Sequence, residues 1–170
     1  MINFKWENHN FYTIKDLLDE RDVIQIKKDV VRECLDNYIE GYPKFQSYPD
    51  LHTKYKTTSW KNLISKVTEN VNKIKQCKLI KCWANYINDK SDYALHEHPT
   101  DFSCVYYLDN VAPQYGTYFI KDGKEIIILG YTNSLQIFDS KLRHELVFPP
   151  KEVLSKTPRL SIAFDFKLNL

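Results

Sequence analysis

The sequence predicts a mostly β protein, an antiparallel sandwich or barrel with two N-terminal helices, and three observations carry that expectation. In two segments before residue 77, apolar residues recur at three- and four-residue steps. From residue 78 the period shortens to two, and β-branched and aromatic residues fill short runs between turn signals. Asp122-Gly123, between Tyr118-Phe119-Ile120 and Ile126-Ile127-Ile128, is a two-residue hairpin signal, because a type I′ turn needs positive φ at both central positions. Strands joined by hairpins with no helix between them close into sandwiches or barrels, so the helices are expected to cover one outer sheet face.

In chain order, the first helix shows Val23, Ile26, Val30, Cys34 and Tyr38 on one face, flanked by Ile24, Val31 and Leu35. Asp22 is its candidate N-cap, and Gly41 stands just past its end. Residues 42–57, with Pro43 and Pro49 and no period, read as a loop covering something. Ser59 opens the second helix, whose face is Trp60, Leu63, Ile64, Val67, Val71 and Ile74, and a lysine-rich turn closes it before Cys77. The strand runs fall at roughly 78–88, 102–109, 116–121, 124–130, 134–139, 143–148 and 159–168.

At 170 residues the chain is expected to form one domain, 1–170, with 1–76 as helical cover and loop and 77–170 as the β core. Lys+Arg 24 against Asp+Glu 22, scattered along the chain, gives no signal for a nucleic-acid or acidic-membrane partner. Cys34, Cys77, Cys82 and Cys104 form no CxxC pair, which points to buried free thiols in a reducing compartment. The first residues carry no signal-peptide core and no stretch of about eighteen apolar residues occurs, so the expected location is cytoplasmic. The oligomeric state is not legible.

The chemistry concentrates in Ala94-Leu95-His96-Glu97-His98-Pro99-Thr100-Asp101. In an extended segment residues i and i+2 share a face, so His96 and His98 project together and make half a metal site. His144, in Leu142-Arg143-His144-Glu145-Leu146, offers a third imidazole, while His9 and His52 lie in loop-like segments with no expected partner. Three imidazoles suit Zn, Fe, Ni or Cu without selecting among them. Arg159 opens the final apolar strand, where alternation puts Arg159, Ser161 and Ala163 on one face and Leu160, Ile162 and Phe164 on the other. A guanidinium grips a carboxylate through two parallel hydrogen bonds and a serine adds a third, so this face suits an organic acid. An antiparallel return from the His144 strand would make the two strands neighbours.

These residues resemble the Fe(II)- and 2-oxoglutarate-dependent oxygenases, and more narrowly the small oxygenases of this type in bacteria and their phages. The ordered matches are Trp83-Ala84-Asn85, His96-Glu97-His98-Pro99, Ser103-Cys104-Val105-Tyr106-Tyr107, Phe138 before His144, and Arg159-Leu160-Ser161, covering about residues 80–166. The resemblance implies a double-stranded β-helix (jelly-roll) core. It further implies that His96, His98 and His144 bind Fe(II), that Arg159 and Ser161 bind the distal carboxylate of the cosubstrate 2-oxoglutarate, and that Tyr107 or Asn85 hydrogen-bonds it. With O2 as oxidant, such an enzyme hydroxylates an unactivated C–H bond and releases succinate and carbon dioxide. The wider family reads His-x-Asp or His-x-Glu; here His98 replaces the anion, and Asp101, three residues on, is the alternative ligand.

Other readings fit the same residues. Three histidines with an open position suit a zinc hydrolase or hydratase, with Arg159 on the substrate. A cupin-type dioxygenase without cosubstrate is a relative of that reading, although the Glu expected a few residues after the histidine pair is missing. An aromatic content of 14% also suits a non-enzymatic β-sandwich binding module. The substrate has no recognisable code: protein side chain, metabolite and nucleobase all remain open, with residues 42–57, 88–95 and 110–116 expected to rim the pocket.

Overall fold

The computed structural model describes residues 1–36, 46–88 and 94–169. Two antiparallel sheets face each other, and each of the seven strand runs read from the sequence contains a strand. These are β3 (Cys77–Ile87), β4 (Phe102–Asp109), β5 (Thr117–Lys121), β6 (Lys124–Ile128), β7 (Ser134–Asp139), β8 (Arg143–Leu146) and β9 (Arg159–Leu168). The two-residue turn holds as expected, with φ of 49° at Asp122 and 74° at Gly123, and β5 pairs with β6 directly across it.

The N-terminus departs from the expectation of helices first. Residues before the first helix form a hairpin of β1 (Ile2–Trp6) and β2 (His9–Ile14), and β2 pairs with β7. The major sheet therefore has six strands in the order β1-β2-β7-β4-β9-β3, while the minor one has β6-β5-β8. The hairpin turns on Glu7 and Asn8, both at positive φ, 46° and 66°. Glu in the first of these positions hides a signal that Asn-Gly or Asp-Gly would have given.

Helix α1 (Glu20–Asp36) begins one turn earlier than Asp22 implied, since the Asp19 carboxylate accepts from the Asp22 amide at 2.9 Å. Its expected end at Tyr38 and Gly41 lies outside the described residues. Thr57 caps α3 (Thr58–Asn72), which places Ser59 inside the helix. Two four-residue helices, α2 (Leu51–Lys54) and α4 (Lys151–Leu154), carry no readable period because each is a single turn. Among the described residues no helix is long and apolar enough to cross a membrane. All four cysteines are free and buried.

Both faces of the major sheet are covered, which explains why β4 and β9 are buried almost throughout. On one face Ile26, Val30, Trp60, Leu63 and Val67 of the helices pack on Tyr106, Leu160, Ile162 and Phe164. Between the sheets lies a smaller cluster of Phe11, Val105, Tyr107, Phe119, Phe138 and Leu142. The expected covering segment seals an edge: the Ser47 amide donates to the Ala84 carbonyl (3.0 Å), the Ala84 amide to Ser47 Oγ (2.9 Å) and the Cys82 amide to the Pro49 carbonyl (3.2 Å). Strand β3, the end of the major sheet, is thereby protected from pairing with another chain.

Candidate metal centre

The three histidines of the sequence pattern meet at one end of the space between the sheets. His96 and His144 exchange backbone hydrogen bonds, His96 N to His144 O at 3.0 Å and His144 N to His96 O at 2.8 Å, so their side chains leave the same face. The His98 amide donates to the Ser140 carbonyl at 2.9 Å, which fixes the other end of the His-x-His segment. One ligand-type atom from each of His96, His98 and His144 lies within 4.8 Å of the others. Ring centroids are 4.7 Å apart for His96 and His144, 5.0 Å for His96 and His98, and 5.2 Å for His98 and His144.

Each imidazole has its Nδ1 already engaged. His96 Nδ1 faces the Ala94 carbonyl at 2.7 Å and His144 Nδ1 the Leu142 carbonyl at 2.7 Å; because carbonyls only accept, both nitrogens carry the proton. His98 Nδ1 stands 2.9 Å from Asp165 Oδ2 and donates to it. All three Nε2 lone pairs are thus left free to converge, which is how second partners set metal-binding histidines. Burial pulls the pKa of His144 down to about 3, against the Leu142 hydrogen bond and with help from His96 and His98, so the ring is neutral, the form that binds metal. Trp83 stacks on His98 at 5.6 Å and 21°, and Phe138 meets His144 edge-on at 4.8 Å.

The alternative Asp101 is turned away. Its amide donates to the Phe166 carbonyl and its Oδ2 accepts from the Leu168 amide, both at 2.9 Å, so it ties down the end of β9. His9 corrects the expectation of an unpartnered residue: it opens β2, with Nδ1 3.2 Å from Asp139 and Nε2 2.6 Å from Lys121 Nζ.

Arg159 and His144 are not on neighbouring strands. Strand β8 pairs with β5 in the minor sheet, whereas β9 runs between β4 and β3 in the major one, so the two residues lie on opposing sheets. Arg159 is 0% exposed and its guanidinium carbon sits 5.2 Å from the centre of the Tyr107 ring. Ser161 faces Asn85 of β3 on one side and Tyr107 of β4 on the other, and the three form one row across the sheet. Tyr107 donates to Gln136 Oε1 at 2.9 Å and contacts Thr117 Oγ1 at 2.6 Å. Gly130 lies flat against the Tyr107 ring, where a Cβ would come within 2.4 Å of Cε1.

A cavity of about 350 Å³ is lined by His96, His98 and His144 and by Asn85 and Ser161; Arg159 and Tyr107 are not among its lining residues. Ser161 Oγ is buried and has no hydrogen-bond partner among the described residues, so it is a donor waiting for an acceptor from the cavity. Gln46 and Ala94 line this space, as the rim expectation for 42–57 and 88–95 requires, although residues 42–45 and 89–93 lie outside the described residues. Segment 110–116 does not line it; Asn110 Nδ2 instead holds that turn together through the carbonyls of Ala112, Tyr115 and Gly130.

Sequence reasoning missed Asp165. The signal was present, since the alternation that put Arg159, Ser161 and Ala163 inside reaches Asp165 at the next step. Asp165 is 1% exposed and accepts from Ser103 Oγ at 2.7 Å as well as from His98.

The two facing antiparallel sheets form the jelly-roll fold of the solved structures this chain is similar to, and the three-histidine cluster lies inside it. The chain is similar in structure to HygX from Streptomyces hygroscopicus with nickel and 2-oxoglutarate bound, with a TM-score of 0.67 and 11% identity over 94% of this chain and 83% of that one. It is similar to the non-heme alpha-ketoglutarate-dependent epimerase SnoN from nogalamycin biosynthesis, with a TM-score of 0.68 and 13% identity over 93% and 77% of the two chains. A Pseudomonas putida prolyl-4-hydroxylase gives a TM-score of 0.66 and 14% identity over 94% of this chain and 93% of its own. No family profile matches the sequence, and no curated protein matches it by sequence.

Proposed function

We propose that the chain is an Fe(II)- and 2-oxoglutarate-dependent dioxygenase that hydroxylates an unactivated C–H bond and releases succinate and carbon dioxide. The observation that carries this reading is the cluster of three imidazoles with every Nδ1 engaged, set in the fold of such enzymes. His96, His98 and His144 hold the metal through Nε2, and Asp101 takes no part. Bound iron, with 2-oxoglutarate and O2, supplies the oxidising chemistry that no side chain of this protein has.

The protein's own residues bind and orient. Arg159 grips the distal carboxylate of 2-oxoglutarate through its planar fork, and Ser161 donates to the same group, which gives its buried Oγ an acceptor. Tyr107 supports the guanidinium from below with its ring face, and Asn85 donates from the opposite side of Ser161. Phe119, Phe138 and Val105 keep water from the inner end. The substrate, a protein side chain, metabolite or nucleobase, enters past Trp83 and Gln46. The chain acts as one domain over 1–170, with 77–170 forming the core that carries the site.

The test is metal analysis of the purified protein followed by turnover of 2-oxoglutarate without substrate. Succinate that forms only with Fe(II) supports the oxygenase. Bound zinc without succinate supports a hydrolase, and protein that takes up no metal supports a binding module.

A further inference from the structure

We infer that Asp165 is a positioning residue that fixes the His98 tautomer and supplies the negative charge a set of three neutral imidazoles lacks. The inference rests on the metal-binding role of His98 and concerns a residue outside the ligand set. Ser103 Oγ has one hydrogen, which it donates to Asp165 Oδ1 at 2.7 Å, so at the Ser103–Ser140 contact of 3.0 Å the hydrogen comes from Ser140. Ser140 Oγ in turn accepts from Thr100 Oγ1 at 3.0 Å. The chain Thr100, Ser140, Ser103 thus points all its hydroxyl hydrogens toward Asp165, and His98 Nδ1–H approaches the other oxygen at 2.9 Å. Both ends deliver donors, and a carboxylate is the group that accepts at each oxygen.

Location adds to this. The side chains of His98 and Asp165 are 14% and 2% exposed, so their hydrogen bond is poorly screened by water. Thr100, Ser103 and Ser140 are all buried and belong to the segment after His98, the start of β4 and the turn after β7. The network therefore ties the His-x-His segment to two strands of the major sheet and stops the His98 ring from turning its Nε2 away. A hydrogen-bonded carboxylate raises the basicity of a metal-bound imidazole, and loss of such a partner weakens metal binding by roughly 10- to 100-fold.

The experiment is anaerobic titration of the full chain with Co(II), followed by its visible absorption, for wild type, Asp165→Asn, Asp165→Ala and Ser103→Ala, with melting temperature measured in metal-free buffer. Wild type binds one Co(II). Asp165→Asn, which keeps one acceptor and removes the charge, binds it at least about 10-fold more weakly with a shifted spectrum; Asp165→Ala binds more weakly still, and Ser103→Ala loses a few-fold. Nitrogen-15 spectra of metal-free wild type show His98 protonated at Nδ1, and Asp165→Ala loses that preference. Variants that melt lower yet bind Co(II) with wild-type affinity and spectrum would give Asp165 a purely structural role and overturn the inference, leaving the metal site intact. Wild type that binds no Co(II) removes the metal site and this inference with it.

Discussion

Arg159→Lys separates charge from shape in the proposed grip on the distal carboxylate of 2-oxoglutarate. The residue is fully buried against the Tyr107 ring, so a lysine there keeps a positive charge in the same dry place but presents one point donor where the guanidinium presents two parallel ones. One charge-assisted hydrogen bond is lost, about 1.5–3 kcal/mol. At tenfold per 1.4 kcal/mol this weakens 2-oxoglutarate binding by about 10- to 150-fold. The assay is calorimetric titration of 2-oxoglutarate into anaerobic Mn(II)-loaded protein, with 2-oxobutyrate, which lacks the distal carboxylate, as the matched control. Binding of 2-oxobutyrate is expected to stay within about twofold of wild type, because the fork is the part that differs. Unchanged 2-oxoglutarate affinity in the variant would refute the role of Arg159, and an equal loss for both ligands would show a collapsed site instead of a missing hydrogen bond.

Three further outcomes follow from named contacts. Ser161→Ala removes a buried hydroxyl without a hydrogen-bond partner among the described residues, so the metal-free protein is expected to melt no lower than wild type while 2-oxoglutarate binds several-fold more weakly; both are read by thermal shift and calorimetry. Gly130→Ala drives a Cβ into Tyr107 at 2.4 Å and should cost about 1–3 kcal/mol in urea unfolding, with loss of cosubstrate affinity as the ring moves under Arg159. Asn133→Ala strips the side chain that accepts from the Leu18 amide (3.1 Å) and from Tyr106 (2.8 Å) and donates to the Leu18 carbonyl (2.8 Å), at a φ of 58°; unfolding should be easier by about 3 kcal/mol with metal affinity unchanged.

What the sequence disclosed was local and periodic. The seven C-terminal strands were legible because each alternates or runs apolar between turn residues, and the pairing of His96 with His98 follows from the pleat alone. Strand β1 alternates from Ile2 to Trp6, but β2 breaks the period at Phe11-Tyr12, the Glu7-Asn8 turn lacks glycine, and the helical period of α1 follows a few residues later. Which strands pair was beyond reach, since nothing in either segment says that β8 joins β5 while β9 inserts between β3 and β4. The partnership of His98 with Asp165, residues 67 apart in the chain, is a product of that topology, and alternation marked only that Asp165 faces inward.

Whether three imidazoles share one ion is read from anaerobic Fe(II) stoichiometry across single alanine variants at His96, His98 and His144. One iron per chain is expected in the wild type and none retained after gel filtration by any of the three variants, each of them still cooperatively folded in metal-free buffer. A variant that keeps a full equivalent of iron would contradict a shared ion, as would a wild type that holds none.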